Sequence, residues 1–144
     1  MAAFNYINTF VTELGSGTHN LGSHTFKVML VNTAPVSTNS VKADLTEISA
    51  GNGYTAGGNT AAVTSWTQSS GTGKSILADP ATWTASGGSI GPFRYAVLYN
   101  DTPTSPADPL IGWWDYGSSI TLAAGETFTV DLDGTNGVLQ IPHA

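Results

Sequence analysis

The chain has 144 residues, no cysteine and a formal net charge of -6, and 10% of its residues are charged. This length is typical of one domain that buries its core unaided, and the absence of cysteine excludes disulfides and thiolate metal sites. Nucleic-acid binding needs clustered basic residues that contact the phosphates. The four basic residues of this chain are spread singly, at Lys27, Lys42, Lys74 and Arg94. Nucleic acid is therefore excluded as a main partner.

The N-terminal residues have no basic leader, and no apolar run approaches the roughly 18 residues that a membrane span requires. We therefore expect a protein made in the cytoplasm, with no membrane partner. Apolar side chains recur at helical spacing up to Gly15, which is suited to end a helix. This pattern predicts one amphipathic helix over residues 3–14, packed on a sheet or docked on a partner, with the apolar positions Phe4, Ile7, Phe10, Val11 and Leu14.

From residue 24 the apolar period changes to two, the period of a β-strand. Turns rich in glycine and proline separate the predicted strands, which cover residues 24–32, 44–49, 59–68, 75–78, 82–85, 93–100, 110–116, 119–122, 127–132 and 137–141.

The segment 93–100 is apolar on both faces, which predicts a strand that is either central in its sheet or covered on both sides. Many short strands between turns are typical of a sandwich or jelly roll. The sequence therefore predicts an all-β fold in a single domain over residues 1–144. It consists of an N-terminal helical segment in residues 1–15 and a jelly-roll-like β-sandwich in residues 20–144.

The run Ser70-Gly71-Thr72-Gly73-Lys74-Ser75 resembles the end of a phosphate-binding loop. The full pattern needs a glycine where this chain has Gln68, and it needs a helix after the loop. Neither requirement is met, and a hairpin turn is the better interpretation.

Two sets of polar residues are candidate sites. His19, His24 and His143 are too scattered to predict a metal site, which needs converging ligands. Asp131 and Asp133 share a strand face, an arrangement that suits glycoside cleavage or calcium binding; a solvated strand face is the simpler interpretation. The chain also lacks a nucleophile elbow. We therefore predict no catalytic residue, no metal and no cofactor, and a protein that is not an enzyme.

The aromatic residues are more informative. Trp113 and Trp114 are consecutive in a predicted strand, so their side chains must point to opposite faces. One indole can enter the core, and the other is either an interface anchor or is covered by a second layer such as the N-terminal helix. Tyr95 and Tyr99 share one face of their strand and would extend such a patch. The candidate protein interface is therefore Tyr95, Tyr99, Trp113 and Trp114.

Four stretches together resemble a family of small virion proteins of tailed phages, most of all the head cement, or decoration, proteins of short-tailed phages such as those of Bordetella. The likeness spans nearly the whole chain, and it is carried by the residues of 28–33, 53–58, 94–101 and 109–115, which read VMLVNT, GYTAGG, RYAVLYND and PLIGWWD.

The resemblance implies a jelly-roll sandwich that forms a homodimer on the outer surface of the phage head and ties neighbouring major capsid proteins together. Such a protein needs rigidity and repeated contacts, and many weak contacts on a closed shell add up. The main alternative is a tail or fibre module that binds host-surface glycan on exposed aromatic faces. A third possibility, a glycan-degrading enzyme, requires Asp131 and Asp133 to line a cleft.

Overall fold

The computed structural model describes residues 2–142. Strands hold 45% of the residues and helical segments 7%, so the predicted all-β sandwich with one short helix is confirmed. No helix in the described part of the chain is long and apolar enough to cross a membrane. The helix α1 spans Thr9–Gly15, and the strands in chain order are β1 Phe4–Tyr6, β2 Phe26–Val31, β3 Asn59–Ala61, β4 Val63–Ser69, β5 Thr72–Leu77, β6 Trp83–Thr84, β7 Ile90–Asn100, β8 Leu110–Leu122, β9 Thr127–Phe128 and β10 Leu139–Ile141.

The largest sheet has five antiparallel strands in the order β1-β8-β7-β2-β3. The strand β7 lies at its centre, as the two-sided apolar pattern of residues 93–100 predicted. A three-stranded sheet in the order β10-β5-β4 and the pair β6-β9 contribute the second layer. The β4–β5 hairpin turns at Ser70 and Gly71, both with positive φ, so the glycine-rich run at 70–75 forms a hairpin turn.

The five-stranded sheet is apolar on both faces, but the two faces differ in extent. The inner face, which meets the second layer, belongs to a cluster of 20 buried residues that includes Phe26, Val28, Leu30 and Leu98. The outer face carries a cluster of six buried residues: Ile7, Met29, Val31, Val97, Tyr99 and Leu110. The main core therefore lies between the two layers.

The N-terminal segment differs from the predicted helix over residues 3–14. Its first residues form β1, which pairs with β8 in the register Phe4–Trp114 and Tyr6–Gly112. Gly112 permits this pairing, because a Cβ there would collide with the carbonyl oxygen of Asn5 and with the Phe4 ring. The α-helix begins only at Thr9.

The segment predicted as a strand over 44–49 is instead a cover for the sheet edge. It follows a 3-10 turn at Lys42–Asp44, and Glu47 forms a single bridge with Val31. The Tyr54 hydroxyl accepts a hydrogen bond from the backbone N–H of Leu30 at 3.0 Å and donates one to Glu47 Oε1 at 2.6 Å. The edge of β2 beyond β3 is thus closed by side chains as well as by backbone.

The β7–β8 pair is interrupted by a large bulge. The register runs from Tyr95–Asp115 directly to Phe93–Ile120, so residues 116–119 of β8 stand opposite the single residue Arg94. All four bulged residues are exposed, and the Ser119 hydroxyl donates to Asn32 Oδ1 at 2.9 Å. The two predicted strands 110–116 and 119–122 therefore form one interrupted strand.

Candidate interaction surfaces

The two consecutive tryptophans lie on opposite faces of the large sheet. Trp113 packs against the outer cluster, whereas Trp114 packs against the inner one. Both side chains stay partly exposed. On the inner face Trp114 packs beside Phe4, its cross-strand neighbour in β1, with ring centroids 4.7 Å apart. The N-terminal residues that contact this indole therefore belong to β1, a neighbouring strand of the same sheet, and not to the predicted helix.

The outer face presents a partly exposed patch at Tyr95 and Trp113, which we call the outer patch. Arg94 borders it and lies 5.4 Å from the centroid of the Tyr95 ring. The same guanidinium donates two hydrogen bonds to Asp115, at 2.8 and 3.0 Å, and these hold the pKa of Asp115 below its usual value. An aromatic surface with a neutralised ion pair at its rim suits contact with another protein.

Tyr99 shares the face of the outer patch but is only 1% exposed. Its hydroxyl donates to the carbonyl of Gly57 at 2.6 Å, and Lys42 Nζ lies 5.6 Å from its ring centroid. Burial raises the pKa of Tyr99. In the single chain this side chain therefore holds loops onto the sheet and is not part of the accessible patch.

A cleft of about 570 Å³ opens between the inner face of the sheet and the segment 126–131. We call it the inner cleft. Its apolar lining includes Leu30, Phe93, Ala96, Trp114, Phe128 and Val130. Because Phe128 and Val130 turn inward while Thr127, Thr129 and Asp131 are exposed, the apolar groups lie inside and the polar groups lie at the rim.

The rim of the inner cleft also holds the most exposed tyrosine. Tyr116 is 58% exposed, and its ring meets Phe128 edge to face at 5.6 Å. A second exposed aromatic, Trp66 at 43%, lies on β4, away from the cleft lining. Neither residue was predicted as a site residue, although Tyr116 follows Trp114 by two and a strand places such residues on one side.

Asp131 and Asp133 do not line one common cleft. Asp131 lines the inner cleft, whereas Asp133 lines an adjoining cavity of about 150 Å³. The Asp133 carboxylate accepts hydrogen bonds from the backbone of Thr135 and Asn136 and from the Asn136 side chain, which lower its pKa. Asp133 therefore holds a turn, and the regular strand ends at Phe128 rather than at residue 132.

Two histidines that the sequence left scattered meet in the structure. The Asn100 amide nitrogen lies 3.1 Å from Nδ1 of His19 and 2.9 Å from Nδ1 of His24. His19 Nε2 lies 3.4 Å from Glu13 Oε2. Burial, together with the nearby His24, lowers the pKa of His19 to about 4. His143 lies outside the described residues.

The arrangement around Asn100 is that of a structural anchor, in which one side-chain amide joins two imidazole rings. Because an amide nitrogen can only donate, Nδ1 of each ring is the acceptor in these two contacts. Among residues 2–142, no group of three potential ligands converges to hold a metal ion.

No protein-family model matches the chain, and no curated protein or solved structure is significantly similar to it.

Proposed function

We propose that the chain is a structural virion protein that binds the outside of a tailed-phage head and cements neighbouring major capsid proteins. The likeness to phage cement proteins motivates the proposal. The observation that carries it is that Trp113 and Trp114 emerge on opposite faces of one rigid sheet and both remain partly exposed. A protein that joins neighbours needs two contact surfaces, and this sheet offers two.

The outer patch is suited to the contact between two copies of the chain. Tyr95 and Trp113 are large aromatic side chains that already pack on a buried cluster, so little side-chain freedom remains to be lost on binding. A homodimer built on a two-fold axis uses one such patch twice. The inner cleft would then remain free for a capsid subunit.

The decisive measurement is the copy number of the chain in purified particles, by quantitative mass spectrometry. A cement protein should be present in a fixed ratio to the major capsid protein. Particles that lack it should lose infectivity at a lower temperature, or after milder osmotic shock, than complete particles. A few copies per particle, together with binding to host glycan, would instead support the fibre module.

The role of the outer patch is tested by Trp113→Ala. Loss of a buried interface aromatic commonly costs about 2 kcal/mol or more, so the variant should sediment as a monomer at concentrations where the parent protein is a dimer. The matched control is Trp66→Ala, which removes an exposed indole on the other sheet. A parent protein that is monomeric at high micromolar concentration and in particles would overturn the dimer.

A further inference from the structure

We propose that the inner cleft binds an extended segment of a partner protein in which a large apolar side chain is flanked by lysine or arginine. The apolar side chain would enter the cleft between the sheet and Val130, and the basic groups would meet the carboxylates at the rim. This inference rests on the proposed function, for which it names the chemistry of the capsid contact.

The interior of the cleft is the reason for proposing a large apolar side chain in the occupant. Its volume of about 570 Å³ lies in the range of about 300–1,000 Å³ that is typical of ligand sites. The inner walls are the side chains of Leu30, Ala96 and Val130 and the rings of Phe93, Trp114 and Phe128. A polar ligand would lose its hydration there without gaining partners, whereas an aliphatic or aromatic side chain gains from burial.

The charges at the rim are the reason for proposing basic residues beside that side chain. Three charged residues line the cleft, namely Arg94, Glu126 and Asp131. The positive charge of Arg94 is already compensated by its two hydrogen bonds to Asp115. The uncompensated charges are therefore both negative, and the other three basic residues of the chain do not line the cleft. A basic group beside the apolar side chain is the complement of this rim.

A strand-like occupant fits the shape of the site better than a helix does. The cleft runs between the strand residues Phe93–Ala96 of β7 and the segment 126–131, so its width is the gap between two layers. Layers of a sandwich pack about 10 Å apart, and the side chains of both layers occupy part of that distance. A helix, which is itself about 10 Å wide with its side chains, therefore does not fit between them. An extended segment can insert alternate side chains into such a gap and leave the intervening ones at the rim.

The test uses the isolated protein and three blocked peptides: Gly-Lys-Phe-Lys-Gly, the charge-reversed Gly-Glu-Phe-Glu-Gly and the anchor-free Gly-Lys-Ala-Lys-Gly. Binding is followed through the indole N–H resonance of Trp114 in a titration by nuclear magnetic resonance. The first peptide should shift this resonance saturably, and the other two should bind about tenfold more weakly or not at all. Equal binding of all three peptides, or no shift with any of them, would overturn the proposal.

Two variants locate the site without entering the core. Ala2 lines the cleft and is exposed, so Ala2→Phe should block the cleft and weaken the lysine peptide about tenfold. Its matched control is Ala3→Phe, an exposed neighbour that does not line the cleft; this variant should bind as the parent does. If Ala2→Phe and Ala3→Phe bind alike, the cleft is not the site.

A third variant tests the rim charges. Replacing both carboxylates, Glu126→Gln with Asp131→Asn, should weaken the lysine peptide about threefold, because each exposed charge pair contributes little. The double variant should also bind with less dependence on salt than the parent between about 0.05 and 0.5 M NaCl. An unchanged affinity would remove the basic groups from the proposal. Saturable binding of maltose or hexanoate at Trp114 in place of the peptide would contradict it outright.

The same variants separate this inference from the proposed function. If particles still carry and need the chain but the peptides do not bind, the cleft assignment fails and the cement role stands. If the peptide binds in the cleft but the chain is absent from heads, the cement role fails and the cleft assignment stands. If both are right, Ala2→Phe should lower the number of copies retained on heads while Ala3→Phe should not.

Discussion

The inner and outer faces of the large sheet are both apolar, yet they are covered in different ways. The inner face meets other strands, and its cluster holds 20 buried residues among those described, against six on the outer face. The outer face is crossed by the loop that contains Leu45, which is bound to its surroundings through Lys42 N–H to Asp108 O and Leu110 N–H to Ser40 O. Strands fix the position of their partners along a whole ladder, whereas a loop is fixed at a few points.

This difference indicates which face contributes more to the stability of the fold and which surfaces remain accessible to a partner. A side chain removed beneath a strand layer leaves a cavity, because the layer cannot move inward without breaking its pairing. A side chain removed beneath a loop leaves a smaller cavity, because the loop can move inward and fill part of it. Partly exposed aromatics nevertheless remain on both faces, at the ends that the cover does not reach, and these ends are the proposed contact surfaces.

The largest expected effect is on the inner side. Trp83 is 1% exposed and packs with Tyr54 and Phe128. Trp83→Ala should lower the free energy of unfolding by about 3–5 kcal/mol, measured by urea denaturation. The comparison variant is Trp66→Ala, which removes an exposed indole and should cost about 1 kcal/mol or less. Similar losses of unfolding free energy in the two variants would mean that the inner layer moves to fill the cavity left by Trp83.

The inner side should also be the more sensitive to acid. His19, which packs on Phe10, has its pKa lowered to about 4 from 6.5. Below pH 6.5 the unfolded chain binds a proton that the folded chain refuses, so stability falls as the pH falls from 6.5 towards 4. Between pH 7 and 4.5 the loss should reach up to about 2.5 kcal/mol. The raised pKa of Glu13 works in the opposite direction and reduces the loss.

The variant His19→Gln separates this titration from general acid sensitivity. Its unfolding free energy should fall less between pH 7 and pH 4.5 than that of the parent, even if its packing at pH 7 is poorer. His24, whose charge also disfavours protonation of His19, is kept in both proteins. Parallel pH profiles for the two proteins would rule out His19 as the group responsible.

A matched pair on β2 compares the faces directly. Val28 and Val31 are both fully buried, the first in the inner cluster and the second in the outer one. Val28→Ala should cost about 2 kcal/mol, from the transfer of its methyl groups and the cavity left behind. Val31→Ala should cost about 1 kcal/mol, because the loop above it can move inward. A larger cost at Val31 would reverse our ranking of the two covers.

Effects of about 1–1.5 kcal/mol are expected from two hydroxyls that hold the segment 47–57 to the sheet. Tyr54→Phe leaves the N–H of Leu30 without its partner and removes a donor to Glu47, which should cost about 1.5 kcal/mol. Tyr99→Phe removes one bond, to the carbonyl of Gly57, and should cost about 1 kcal/mol. Hydrogen exchange at residues 47–57 should quicken in both variants, and unchanged protection would show that other contacts fix the segment.

Local patterns predicted what is locally determined. The alternation over 24–32 and the two-sided apolar run over 93–100 gave β2 and the central β7, and the period of two placed Trp113 and Trp114 on opposite faces. The segment Phe4–Tyr6 was predicted as helix because its apolar spacing continues into α1. Its pairing with β8 depends on the space above Gly112, more than 100 residues away in sequence.

The candidate site was likewise predictable only where the alternation of side chains along one strand determines it. Tyr95 and Trp113 are brought together, but Tyr99 is covered by Lys42 and Gly57, which no strand period reveals. The inner cleft depends on the gap between the β8 side of the sheet and segment 126–131, so its outline exists only in three dimensions. The meeting of His19 and His24 at Asn100 likewise joins a loop to the end of a strand about 80 positions further along the chain.

The bulge at residues 116–119 offers a place to enlarge the molecule. Its four residues are exposed, and Gly117 has a positive φ of 103°, so the ladder already tolerates extra chain at this point. Insertions succeed most often at exposed tips that carry few backbone hydrogen bonds. A short foreign peptide placed between Gly117 and Ser118 should therefore leave both halves of β8 paired with β7. If the chain coats a phage head, each particle would then display that peptide in as many copies as it carries of the protein.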